Sequence, residues 1–216
     1  MYKPSESRIL AHRGLWKNEF GLTELKKNSI EALSRAANFG FGFETDIRDS
    51  FGEIVVSHDP ATNYDLTLKQ LFELEVSGPV ALNIKSDGLA PMLKALLEVT
   101  KPAFNSFFFD MSVPEFQNYR ANELPVASRL SEFENADRQT TNIIWLDSLM
   151  SDWYKNDSGW LNRYKNHSVV IVSPELHKRS HLDSWNWIAD VMNKNENLSI
   201  CTDMPLEFLK LWQSKI

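Results

Sequence analysis

Two segments near the N-terminus gather side chains able to move protons and hold anions. They are Ala11-His12-Arg13-Gly14, and the run from Phe43-Glu44-Thr45-Asp46 to Val56-Ser57-His58-Asp59-Pro60. Side chains alternate along a strand, so Glu44 and Asp46 share a face and can hold one divalent cation as hard oxygen ligands. Gly52, within Asp49-Ser50-Phe51-Gly52-Glu53, can turn the chain back. Ile54, Val55 and Val56 then form a second short strand that returns His58 towards the carboxylates. Two histidines, an arginine and two carboxylates in one region suit phosphate ester cleavage, which needs neutralisation of an anion and transfer of protons more than an unusual nucleophile.

The elements that must position these residues follow from periodicity. Apolar segments with strand character recur at Ile9–His12, Gly42–Ile47, Val80–Lys85, Phe107–Asp110, Val126–Leu130, Ile143–Asp147, Val169–Ser173 and Leu198–Thr202. Between most of them lie helical patterns, at Ser29–Phe39, Thr67–Leu74, Leu89–Val99, Val113–Asn122, His181–Met192 and Leu206–Trp212. Alternating βα units with strands this apolar predict a compact (β/α)8 TIM barrel, one domain over residues 1–216, with a very short insertion after the second barrel strand. His12, Glu44, Asp46 and Lys85 all fall near the C-terminal ends of their strands, where barrels of this kind build their sites. Asn28 reads as the cap of the helix that follows it, with Glu31 three residues on completing an arrangement close to a capping box.

The order of these pieces resembles the glycerophosphodiester phosphodiesterase family. Its pattern runs His-Arg-Gly, Asn-Ser/Thr, Glu-x-Asp and His-Asp, present here as His12-Arg13-Gly14, Asn28-Ser29, Glu44-Thr45-Asp46 and His58-Asp59. Thr202-Asp203-Met204-Pro205 is similar to the ending of the family's last strand, so the resemblance spans the chain. It implies hydrolysis of a glycerophosphodiester or related small phosphodiester, with His12 and His58 as the acid/base pair. Arg13 and Lys85 would take phosphate charge, and Glu44 and Asp46 would hold Mg²⁺ or Ca²⁺. Apart from the resemblance, Trp16 beside His12-Arg13-Gly14 reads either as a stacking platform for substrate at the mouth or as loop packing. The family's third acidic ligand, two residues before a strand-end lysine, corresponds to Asn83 in Leu82-Asn83-Ile84-Lys85; an amide oxygen still coordinates such ions, with one negative charge fewer. Lys27 replaces an acidic residue that often precedes Asn-Ser/Thr. A Trp-Thr-Val-Asn strand is also missing, with Val170-Ile171-Val172-Ser173-Pro174-Glu175-Leu176-His177 in its region, which implies an alcohol pocket of different shape.

Composition narrows the partners. With 216 residues one core is usual, and a net charge of -6 without a sustained basic stripe argues against a nucleic-acid backbone as partner. Lys17, Lys26 and Lys27 read as a solvated face. No signal peptide or apolar run of about 18 residues is evident, so no membrane span and a cytoplasmic location are expected. The single cysteine, Cys201, reads as a buried strand residue. Five of the seven tryptophans, from Trp145 to Trp187, suggest aromatic packing outside the barrel or a dimer face, leaving monomer and homodimer open. Of His167, His177 and His181, only His177 is placed to reach the mouth. Two rival readings stand beside the main one: a noncatalytic phosphodiester-binding module, and a barrel lyase using Lys85 as a Schiff base.

Overall fold

The computed structural model describes residues 3–61, 66–138 and 141–216. Its strands, in chain order, are β1 (Ile9–His12), β2 (Gly42–Ser50), β3 (Glu53–Val56), β4 (Val80–Ile84), β5 (Ser106–Phe109), β6 (Ala127–Leu130), β7 (Ile143–Leu146), β8 (Ser168–Val172) and β9 (Leu198–Thr202). All but β3 form a parallel series in the order β5-β4-β2-β1-β9-β8-β7-β6. The series closes into a barrel where Phe108 bridges Val126 and the Phe108 N–H donates to the Pro125 carbonyl at 2.8 Å. Outside the ring, β3 pairs antiparallel with β2 through the expected turn. Phe51 and Gly52 there both adopt positive φ, of 47° and 84°, as a tight primed hairpin requires.

The helices are α1 (Ile30–Asn38), α2 (Leu68–Leu71), α3 (Ala90–Thr100), α4 (Val113–Ala121), α5 (Trp153–Asn156), α6 (Gly159–Arg163), α7 (Leu182–Met192) and α8 (Pro205–Gln213). The barrel expectation holds, with full helices between most strands. Only a 3₁₀ turn, Ala136–Arg138, lies among the described residues between β6 and β7, and α5 and α6 are too short to show a period in the sequence. The helix expected over Thr67–Leu74 contracts to α2, which opens on a capping box between Thr67 and Gln70. The short insertion after β2 includes residues 62–65, which lie outside the described residues. The cap of α1 is Ser29, whose hydroxyl accepts the Ala32 N–H at 3.2 Å, and not Asn28 as expected. No described helix is long and apolar enough to cross a membrane.

Alternation along each strand sorts side chains between two cores. Outward residues such as Phe43, Leu82, Ile144 and Ile171 pack beneath the helices, together with Leu33, Trp185, Ile188 and Phe208. Inside the barrel, Phe107, Phe109 and Trp145 fill the side formed by β5 to β7, with Phe109 and Trp145 stacked at a centroid distance of 4.1 Å. The tryptophan cluster is thus divided: Trp145 is interior, whereas Trp153, Trp160, Trp185 and Trp187 pack in the outer layer. Buried indoles are satisfied, Trp185 Nε1 donating to Ser173 Oγ at 2.7 Å and Trp212 Nε1 to Asn193 Oδ1 at 2.8 Å. Cys201 is buried, as expected.

One glycine ties the barrel to α1. Gly14 has φ of 85°, and a Cβ there would stand 2.6 Å from the backbone carbon of Ala32. Leu15 N–H donates to the Ala32 carbonyl at 2.9 Å across this approach. Gly14→Ala combines a disfavoured φ with a backbone clash. It is expected to lower unfolding stability by roughly 2 kcal/mol or more, measured by urea titration; a loss below about 0.5 kcal/mol would show that this approach is not constraining.

Candidate active site

Strand register assembles the polar half of the barrel interior. His12 of β1 lies beside Glu44 of β2, and Asp46 lies beside Asn83 of β4, so all four point inward at the C-terminal ends of adjacent strands. Arg13 follows immediately in the left-handed region at φ 59°, held by its N–H to the Glu44 carbonyl at 2.9 Å. A bulky residue at positive φ is unusual, and here it re-aims the guanidinium into the mouth.

Asp46 is fully buried and engaged by three donors. Arg13 Nε lies 3.0 Å from Oδ2, Lys85 Nζ lies 3.3 Å from Oδ1, and Asn28 Nδ2 donates to Oδ2 at 2.9 Å. Asn28 sits at φ 60° and its Oδ1 also accepts from Thr45 Oγ1 at 2.9 Å. The side chain read as a helix cap is therefore a positioning group of the site. Lys85 continues the charge pattern to Asp110, 3.7 Å away, which also pairs with Arg129. Lys85 is thus held between two carboxylates, Asp46 and Asp110.

His12 has a partner that motif spacing did not assign. Its Nδ1 lies 2.6 Å from Asp203 Oδ1, just beyond β9. Burial opposes the Asp203 charge, but the His12 contact, with Lys27 and Lys17 farther off, outweighs it and holds the carboxyl below its usual range. Asp203 is thus an acceptor and His12 Nδ1 donates, while Nε2 on the other side of the ring lies 3.8 Å from Glu44 Oε2. Glu175 buttresses the pair, its Oε1 accepting from Thr202 Oγ1 and from the Asp203 N–H. The Thr202-Asp203-Met204-Pro205 match was the signal available for Asp203; nothing in the sequence pointed to Glu175.

His58 is brought to the same mouth but not to the carboxylates. The hairpin returns its backbone, with Ser57 N–H donating to the Asp46 carbonyl at 3.0 Å. Its ring instead pairs with exposed Asp59 at 2.9 Å. A cleft of about 450 Å³ joins His58 and Arg13, with Asn28, Lys26 and Lys27 also on its wall. Trp16 packs in the loop, donating from Nε1 to the His12 carbonyl at 3.1 Å, with Lys27 Nζ 4.0 Å from its ring centre. His177 does reach the mouth, where Nε2 meets Asp147 at 2.7 Å on the far side of the barrel.

The donor set fits a hard cation. Glu44 Oε2, Asp46 Oδ1 and Asn83 Oδ1 are buried acceptors without a hydrogen bond, Lys85 Nζ standing 3.3 Å from Asp46 Oδ1 and His12 Nε2 3.8 Å from Glu44 Oε2, and buried oxygens short of a hydrogen bond are costly unless a cation or water satisfies them. Among the described residues no three His, Cys, Asp or Glu side chains form a ligand set, so an ion here would need the Asn83 amide beside the two carboxylates.

No protein-family model matches this chain, and no curated protein matches it by sequence. Solved structures do. A glycerophosphodiester phosphodiesterase from Agrobacterium tumefaciens str. C58 superposes with a TM-score of 0.67 at 16% identity, covering 96% of this chain and 99% of the other. A protein described as a glycerophosphodiester phosphodiesterase from Galdieria sulphuraria does so with a TM-score of 0.71 at 15% identity, covering 98% and 99%. This chain has their fold. The match runs end to end, so the expected single barrel carries no large addition or loss relative to either.

Glu44 yields a pH test. Burial pushes its carboxyl from 4.5 up to about 7, Asp46 adding to the rise while His12, Arg13 and Lys85 oppose it. Between those values the folded state holds a proton that the unfolded chain has released, so this contribution to stability is full in acid and is lost as pH rises through about 7. In chelator-treated protein, the stability of the wild type relative to Glu44→Gln is expected to fall by up to about 3 kcal/mol between acidic and alkaline pH. A flat difference in urea titrations would mean that folding leaves the Glu44 carboxyl at its unfolded pKa.

Proposed function

We propose that this protein is a phosphoric diester hydrolase that cleaves a glycerophosphodiester or a related small organic phosphodiester with the help of a divalent cation. The observation that carries this reading is the convergence of His12 with Asp203, Arg13, Lys85 and three buried oxygens that lack a hydrogen bond, at the C-terminal ends of adjacent strands. The shared fold with two phosphodiesterases supports it.

Glu44, Asp46 and Asn83 would hold Mg²⁺ or Ca²⁺, which when bound supplies positive charge to a non-bridging phosphate oxygen. Arg13 and Lys85 bind the remaining phosphate charge, and the planar Arg13 fork suits two oxygens. His12, fixed through Nδ1 by Asp203, moves a proton at Nε2. His58, which lines the cleft with Arg13, would serve the other oxygen, so that one ring accepts the proton of the attacking hydroxyl while the other protonates the leaving alkoxide. Attack by a vicinal hydroxyl of the substrate would give a cyclic phosphate, opened by water with the histidine roles exchanged.

His12→Ala and His58→Ala are each expected to lower turnover of glycerophosphodiesters by at least about 100-fold with circular dichroism unchanged, and the wild-type pH–rate profile should be bell-shaped. Near wild-type turnover in both variants would remove the acid/base assignment. A wild type that binds phosphodiesters without turning them over would make the protein a binding module.

Chelation should abolish turnover, and Mg²⁺ or Ca²⁺ should restore it. Asn83→Glu is expected to tighten cation binding by isothermal titration, because a third carboxylate adds attraction, and to raise KM for the anionic substrate. Equal cation affinity in wild type, Asn83→Glu and Asn83→Ala would mean that Asn83 is not a ligand.

A further inference from the structure

A second histidine–carboxylate pair stands at the mouth, outside the groups assigned to the phosphate and the cation. Asp147 follows β7 and is almost wholly enclosed, its side chain 7% exposed. It is held from two directions: Oδ1 accepts the Ser148 N–H at 2.9 Å, and its backbone carbonyl accepts Trp153 Nε1 at 2.9 Å. His177 closes the 3₁₀ turn Pro174–His177 after β8, and its Nε2 lies 2.7 Å from the same Oδ1. A carboxylate only accepts, so Nε2 carries the proton and Nδ1 of the neutral ring is an acceptor. Nδ1 has no hydrogen bond among the described residues, and the side chain is 24% exposed. Strand order around the ring runs β2-β1-β9-β8-β7, which sets His12 and Asp203 next to His177 and Asp147. Glu175, two residues before His177 in the same turn, accepts the Asp203 N–H at 3.2 Å, so one turn joins the second pair to the partner of His12.

The charges around this pair decide what it can receive. Asp147 and Glu175 bring two carboxylates and, His177 apart, the donors on them are neutral: the N–H groups of Ser148 and Asp203 and the hydroxyls of Ser173 and Thr202. The cations nearby are engaged elsewhere, Arg179 and Lys155 with Asp152, and Arg129 with Asp110 and Glu134. A second anionic group would meet negative charge here, whereas an uncharged or cationic hydrogen-bond donor suits His177 Nδ1. A phosphodiester has two alcohol arms. With its phosphate at Arg13 and Lys85, the arm bearing the attacking hydroxyl lies in the cleft beside His58, and the other passes His12 towards β8 and β7. We propose that His177, oriented by Asp147, is a specificity-determining residue that accepts a hydrogen bond from this second arm, and that the arm carries an O–H or N–H donor. The assignment rests on the hydrolase reading above and extends it from the phosphate to one of its alcohols.

The test compares the full chain on three soluble esters that share a glycerol arm: glycerophosphoglycerol, glycerophosphoethanolamine and glycerophosphocholine. The second arm of the first two ends in an O–H or N–H donor, whereas the quaternary ammonium of choline has none. Wild type is expected to show a kcat/KM about tenfold or more higher on the better donor ester than on the choline ester. Which of the first two is faster distinguishes a hydroxyl from an ammonium as the donor. His177→Ala should reduce the preference to about twofold or less, through KM more than kcat. His177→Phe, which keeps a ring in place and removes both nitrogens, should do the same. The proposal is overturned if wild type uses the choline ester as well as the other two. It is also overturned if His177→Phe keeps the wild-type preference, since packing alone then sets it, or if both variants lower all three esters by the same factor, as a general structural effect would. A wild type that cleaves none of the three removes the hydrolase reading and this assignment with it; cleavage without the preference removes the assignment alone.

Discussion

A carboxylate with no access to water lies at the base of the mouth, and the arrangement around it follows from the need to compensate its charge. Asp46 is enclosed in the barrel, where an uncompensated carboxylate costs several kcal/mol. Compensation comes from three places in the chain: Arg13 beyond β1, Asn28 just before α1, and Lys85 beyond β4. Each of these is constrained in turn. Arg13 and Asn28 both occupy the left-handed region, and Asn28 N–H donates to the Arg13 carbonyl at 3.0 Å, so the two unusual conformations support one another. The charge of Asp46 thus fixes the loop that carries the guanidinium.

The interior is divided by chemistry. Aromatic rings of β5 and β7 fill one side of the barrel, and the polar groups of β1, β2 and β4 occupy the other. A low-dielectric aromatic wall strengthens every interaction on the polar side and raises the cost of leaving any acceptor there unpaired. Glu44 registers this environment, its carboxyl pushed up to about 7 chiefly by burial. A cation between Glu44, Asp46 and Asn83 would relieve that cost, which is the physical link between the fold and the proposed chemistry.

The ends of the chain are joined across the same region. His12 pairs with Asp203, and Glu19, from the loop after β1, accepts the Glu207 N–H at 2.9 Å in the first turn of α8. Glu19 is itself buried, with its carboxyl raised to about 7, mainly by desolvation. Two contacts between the first loop and the last βα unit hold the histidine with its Nε2 turned to Glu44, 3.8 Å away.

What could be read from the chain alone was whatever local geometry dictates. Strand alternation put Glu44 and Asp46 on one face, and the spacing of apolar runs located the eight barrel strands, because side-chain direction and element length depend on a few neighbouring residues. The motif order likewise brought His12, Arg13 and Lys85 to one mouth. Three matters required the closed barrel. Asn28 reads as a helix cap from its neighbours alone, and only the position of Asp46 shows its amide held by the site instead. The partner of His12 lies 191 residues away, a separation that no local pattern encodes. The ring of His58 turns to Asp59 and the cleft, not to the carboxylates its backbone approaches. Local periodicity arises from covalent geometry, whereas these contacts exist only once ring closure has brought distant strands side by side.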